Sequence, residues 1–147
     1  MFQRLGLVLV LAGAALVARV QAQELPYREG PVLDVTSIRV QDGHFLDYWR
    51  FLETQWRPQM EEAKREGLVL SYQVLQGSPR TPEEPNLYLF VTYANFAALD
   101  GIGEKLSAIE RKVSGKSPQR SEQEAADRAP IRTVLGDELM QELQFRK

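Results

Sequence analysis

His44 is the only histidine in the 147-residue chain. Histidine is the side chain whose ordinary pKa suits a general base near neutral pH, and its neutral ring can ligate a metal. His44 heads a segment that holds both tryptophans, with Asp42 and Asp47 close by. No second histidine and no cysteine accompany it, so a zinc site would need carboxylates to dominate. The competing reading is an exposed residue in the first turn of a helix, its ring beside Asp42 or Asp47. Tyr48, Tyr72, Tyr88 and Tyr93, with Phe90, offer a second kind of chemistry: a wall of aromatic rings and phenols for a flat organic ligand. Phe45, Trp49 and Trp56 could line the same pocket, or they could simply be core. The tyrosines would serve equally well at a subunit interface. Arg50 and Arg57 are seven residues apart on one helix side and suit an anionic ligand, or ion pairs with Glu53 and Glu61. His44 is thus the catalytic candidate, and Tyr48, Trp49, Trp56, Tyr72, Tyr88 and Phe90 are the ligand-binding candidates. No metal and no cofactor is expected.

Several function classes are absent as motifs. The chain has no Gly-x-Ser-x-Gly, no phosphate-cradling glycine loop and no His-Glu-x-x-His. The 18 basic and 20 acidic residues are interspersed. That pattern gives no nucleic-acid footprint and no basic membrane-surface helix.

The elements that would position these residues begin with an export signal over residues 1–22. Met1 to Arg4 give a short basic start, Leu5 to Ala18 an apolar run of 14 residues, and Val20-Gln21-Ala22 a cleavage pattern. The run is short of the roughly 20 residues that cross a bilayer. A cleaved, periplasmic protein of a Gram-negative bacterium is expected, with no stable membrane insertion. Removal takes away Arg4 and Arg19 and leaves 125 residues with 16 basic against 20 acidic groups, a net charge of −4. That length forms one domain with a single core, and needs no disulfide.

Residues 23–31 read as an extended arm, and 32–147 as the domain. Val32 to Val40 is the first strand. Asp42 is the expected N-cap of a long helix in which Phe45, Trp49, Leu52, Trp56, Met60 and Ala63 recur at helical spacing. Pro58 interrupts it, by a kink or by a stop near Trp56 and a restart, with the kink favoured because the stripe keeps its phase. Gly67 closes the helix. Leu68 to Leu75 and Asn86 to Tyr93 form a hairpin with a proline-rich tip. Asn95 caps a short helix that resumes through Glu104 to Val113. Ser121-Glu122-Gln123-Glu124 matches a capping box for a third helix. Thr133 to Phe145 alternates as a last strand with a bulge at Gly136, although Asp137 to Leu143 has helical propensity.

The order is β-α-β-β-α-α-β, a ferredoxin-like α+β sandwich on a four-stranded antiparallel sheet. Its third strand is apolar on both sides: Leu87, Leu89, Val91 and Tyr93 on one, Tyr88 and Phe90 on the other. With the second strand in phase, Leu70, Tyr72 and Val74 would join Tyr88 and Phe90. Such a face calls for cover, and a homodimer packed sheet to sheet supplies it. The N-terminal arm or the extra helix is the alternative cover.

These features resemble the dimeric α+β barrel superfamily, which includes antibiotic-biosynthesis-type and haem-degrading monooxygenases and NIPSNAP-like proteins. Ile38-Arg39-Val40, Gln41-Asp42-Gly43 and the aromatic first helix fit its usual opening. Gln55-Trp56-Arg57-Pro58, Gly67-Leu68, Pro85-Asn86-Leu87-Tyr88-Leu89 and Ala97-Ala98-Leu99-Asp100-Gly101 resemble a group of exported bacterial proteins of unassigned activity. The resemblance spans most of residues 32–145 and implies a homodimer. Haem-degrading members use a histidine from the second helical region, and this chain has none there. Cofactor-independent members use an Asn/Trp/His set that does not match here position by position. The expected function is therefore binding of a small apolar or aromatic molecule in a barrel pocket. A cofactor-independent or haem-using monooxygenase is one alternative, and an envelope protein-interaction module is the other.

Overall fold

The computed structural model describes residues 25–146; the expected signal segment 1–22 lies outside the described residues, as do 23–24 of the arm. The chain runs β1 (Tyr27–Val40), α1 (Phe45–Phe51), a π-helical turn (Leu52–Trp56), α2 (Arg57–Arg65), β2 (Ser71–Gln76) and β3 (Leu87–Tyr93). It continues through a 3₁₀ turn (Phe96–Leu99), α3 (Ile102–Ser114), α4 (Pro118–Asp127) and β4 (Arg132–Phe145). The sheet is antiparallel in the order β2-β3-β1-β4. This is the ferredoxin-like arrangement expected from the element order.

The arm is mostly strand. Tyr27, Arg28 and Glu29 pair with Phe145, Gln144 and Leu143, so β1 starts well before the β-branched run. Gly30 and Pro31 fall in a register shift between Glu29 and Val32, which lets a proline stand in a strand without breaking the ladder. β4 is strand throughout, because pairing along β1 overrides the helical propensity of Asp137 to Leu143. Leu135 is its extra residue: Ser37 pairs with Gly136 and Ile38 with Val134.

One sheet face is core. Ile38, Val40, Leu87 and Leu89 are buried with Tyr48 and Leu52 beneath α1 and the π turn. Val32 and Tyr93 are buried with Ala63, Val69 and Ile109 beneath α2 and α3. Cross-strand partners share a face, so the register corrects the expected phase of the second strand. Tyr72 pairs with Val91 and Val74 with Leu89, which puts both on the helix side. The opposite face carries Tyr88 and Phe90 with Val35, Gln73 and Leu75.

Pro58 stands in the first turn of α2, and the helical run continues up to it. The chain inserts a π turn ahead of it, where the Arg57 N–H bonds to the Leu52 carbonyl five residues back. The wider turn makes room for a ring that would otherwise crowd the Thr54 carbonyl. Thr54 Oγ1 donates to the Arg50 carbonyl at 2.7 Å. The insertion also resets the phase. Tyr48, Leu52, Met60 and Ala63 form the buried ridge, while Trp49 is 44% exposed. Eight residues separate Leu52 from Met60, which at about 100° each overshoots two turns by roughly 80°. One residue absorbed in the π turn brings Met60 back under the sheet.

Asn95 caps its turn, accepting from the Ala98 N–H at 3.0 Å, and Gly67 follows α2 with φ +74°. Asp42 does not cap α1. His44 holds that position without a side-chain cap bond, and Asp42 reaches Arg39 instead. α4 begins earlier than its capping box implies, with Ser117 as N-cap and Pro118 in the first turn.

Asn86 extends the β1–β3 ladder with its side chain. Its Oδ1 accepts from the Val40 N–H at 2.8 Å and its Nδ2 donates to the Val40 carbonyl at 2.9 Å. Asn86→Ala leaves both Val40 groups unpaired in a partly buried place and should cost about 1–3 kcal/mol, read as a lower urea midpoint with unchanged slope. Glu62 of α2 accepts from Arg65 and Lys112, tying α2 to α3, and these partners hold its carboxyl at about 2, below the usual 4.5. A depressed folded pKa gives stability present above about pH 4.5 and lost as pH falls toward 2. Urea midpoints at pH 5 and pH 2.5 should therefore differ less for Glu62→Gln than for the unaltered protein.

Candidate functional site

The π turn and β2 face each other across an apolar groove. Trp56 meets Tyr72 edge-on, ring centroids 5.3 Å apart at 89°. Phe45 stacks on Trp49 at 6.3 Å and 14°. Two adjoining cavities share Trp49 and Val74 as a common wall. One, of about 320 Å³, is lined by Leu52, Glu53, Trp56, Arg57, Tyr72 and Gln73 as well. The other, of about 380 Å³, adds Phe45, Leu46, Gln76 and Leu87. Each lies near the lower end of small-molecule sites, and β2 is a sheet edge beside which the groove runs. Leu46 and Trp49 stand exposed along it.

One end of the groove is polar. The Tyr72 hydroxyl donates to Glu61 Oε1, and Arg57 lies beside the same phenol. Partial burial, with Glu61 next to it, pushes the Tyr72 pKa up, so this phenol stays protonated throughout the neutral range. The groove thus offers flat ring surfaces for apolar contact and a few polar groups at one end to orient a ligand.

The six ligand-binding candidates divide among three places. Trp49, Trp56 and Tyr72 converge on the groove. Tyr48 is core, 3% exposed and 5.5 Å from the Phe51 ring, with Arg132 beside its hydroxyl. Burial pushes the Tyr48 pKa up, and Arg132 opposes the shift. Tyr88 and Phe90 lie on the opposite sheet face, their rings 6.5 Å apart. The Tyr88 ring crosses Gly77, where a Cβ would stand 2.9 Å from Cε2.

His44, the catalytic candidate, lines neither groove cavity. Its Nδ1 is 3.1 Å from Asp47 Oδ2, and its side chain is 45% exposed. Arg50 pairs with Asp47 at 3.7 Å rather than with Glu53, and Arg57 turns to Tyr72 rather than pairing with Glu61. Sequence reasoning missed Val74 and Gln76 as groove walls. Their signal is the alternation Tyr72, Val74, Gln76, which places all three on whichever face Tyr72 takes.

No protein-family model matches the chain, and no curated protein matches it.

The two tryptophans differ in how much packing they carry. Trp56→Ala removes a half-buried ring from the core edge and should cost about 2 kcal/mol, whereas Trp49→Ala should cost less than about 1 kcal/mol. Iodide should quench most of the emission of a Trp56→Phe variant and much less of a Trp49→Phe variant.

Proposed function

We propose that this chain is an exported homodimeric protein that binds a small apolar or aromatic molecule in the groove between the π turn and β2. The observation that carries the reading is the convergence of Trp49, Trp56 and Tyr72 on an apolar slot whose floor is Leu52 and Val74. Aromatic walls bind flat molecules by area and ring contact, and the Arg57, Tyr72 and Glu61 end supplies orientation. The barrel pocket expected between two sheet faces needs a second subunit to close it, whereas the groove on the helix side is lined by one subunit alone.

Support for two subunits is separate. Val35, Leu75, Tyr88 and Phe90 make the face away from the helices apolar. β4 adds Met140, exposed and paired with Leu33, to that face, and leaves Leu139, paired with Asp34, exposed on the other. A monomer rarely leaves so much apolar surface in water, and a second copy about a two-fold axis would cover it. Export rests on the basic start, the short apolar run and the Val20-Gln21-Ala22 pattern. Among the described residues no helix is long and apolar enough to cross a membrane.

N-phenyl-1-naphthylamine, an uncharged flat aromatic, tests the groove. Its emission should rise saturably with one molecule bound per subunit. Val74→Trp, which fills the slot, should abolish that rise, and Trp56→Ala should weaken binding about tenfold, or about 1.4 kcal/mol. Absence of saturable binding, or binding indifferent to Val74→Trp, removes the ligand reading. Sedimentation should give two subunits for the processed protein and one for Phe90→Lys; a single subunit without the substitution removes the dimer.

A further inference from the structure

On the side of α1 away from β2, two arginines stand without counter-ions. The Arg128 guanidinium lies over the Phe51 ring, its carbon 3.8 Å from the ring centroid. Its Nε is shielded from water and has no hydrogen-bond acceptor among the described residues. Arg132, one helical turn's distance along the chain, lies beside the buried Tyr48 hydroxyl. Neither arginine has a carboxylate within ion-pair distance among the described residues, although nearby cations do. Arg50 is paired with Asp47, while Arg120 and Lys116 are both paired with Glu124. A cleft of about 340 Å³ opens beside Arg128 between α1 and α4, with Phe51, Gln55 and Ile131 among its walls.

We propose that this cleft is an oxyanion site, in which Arg128 takes a phosphate or carboxylate group with Arg132 adding its charge from behind. The argument is one of charge and desolvation. Two guanidiniums near each other repel, and partial burial strips the water that would screen them. Burial first and the Arg132 charge second push the Arg128 pKa down, against the opposing pull of Tyr48, Glu124 and Glu110. Phe51 fixes the guanidinium plane, so its edge donors arrive already oriented for the two oxygens of a bound anion. Of the acids at the cleft, Asp47 faces His44 and Arg50 and Glu124 faces Lys116 and Arg120, while Asp127 accepts from the neutral Gln123 amide. An anion entering here would meet Arg128 as the cation of the cleft wall with no carboxylate within ion-pair distance among the described residues. The site is independent of the aromatic groove, which lies across the helix.

The test uses inorganic phosphate and acetate, each against chloride at equal ionic strength and fixed pH. Thermal midpoints should rise saturably with phosphate, acetate or both, and the ³¹P line of phosphate should broaden if the phosphoryl group is the match. A response to phosphate alone identifies a phosphoryl ligand, and a response to acetate alone a carboxylate. Arg128→Gln should remove the response, and Arg128→Lys, which keeps the charge but loses the fork, should weaken it at least tenfold. Arg132→Gln provides a second variant should Arg128→Gln fail to fold, with at least threefold weakening expected. The proposal is overturned if neither anion gives a saturable effect, or if a folded Arg128→Gln or Arg132→Gln protein responds as the unaltered chain does.

Discussion

A proline has no N–H to give, and the first helical stretch is built around that deficit. In a regular helix Pro58 would leave the Thr54 carbonyl without its donor and press its ring against it. Widening the preceding turn to a π geometry, with Arg57 bonding to Leu52, relieves the clash. The consequence is a shift of one residue in helical phase between Leu52 and Met60. That shift puts Tyr48, Leu52, Met60 and Ala63 in line over the sheet and leaves Trp49 and Trp56 along the margin. Trp56 then reaches Tyr72 of an edge strand. The groove is thus what remains when a helix with a defect packs its proper ridge inward.

The sheet answers a different constraint. Helices cover β3, β1 and the helix side of β2, but β4 adds a fourth strand that the described helices leave bare on both sides, as the exposure of Val134, Leu135, Leu139 and Met140 records. β4 is held by its long ladder to β1, with Tyr27 and Phe145 paired at the far end. Backbone pairing supplies its register, and its side chains are free for another surface. A long apolar edge strand is a liability in a lone subunit. Met140, on the face with Tyr88 and Phe90, becomes an asset when a second copy closes over that face, which is the physical core of the proposed dimer.

Much of the architecture was legible because local rules and global packing agree. Alternation marked β3, the prolines marked the hairpin tip, and Asn95 and Gly67 marked helix boundaries that the structure keeps. Failures came where long-range pairing decides. Nothing in Gln23 to Pro31 announces a strand, since Tyr27 to Glu29 are ordered by partners more than a hundred residues away. The phase of β2 was not readable either. Leu70, Tyr72 and Val74 alternate correctly, but which face they take depends on pairing with Val91 and Leu89 and on the Trp56 ring. Tyr48 looked like a pocket wall because it was grouped with the other tyrosines as a phenol. It stands one residue before Trp49 and turns to the sheet, where it packs with Ile38, Leu52 and Leu87.

Arg128 and Arg132 escaped notice for a similar reason. They lie at the end of one element and the start of another, around Ala129-Pro130-Ile131, where no periodicity groups them. The structure brings them to the flank of α1 opposite the groove, so one helix separates an apolar slot from a cleft of charged walls. The π turn contributes to both sides: Glu53 and Trp56 line the groove beside β2, while Thr54 and Gln55 line the cleft beside α4. Lys116 fastens one flank by donating to Gln55 Oε1 at 3.1 Å. A ligand that pressed on either side would load the same five residues, so the two proposed sites share a mechanical element even though they share no side chain.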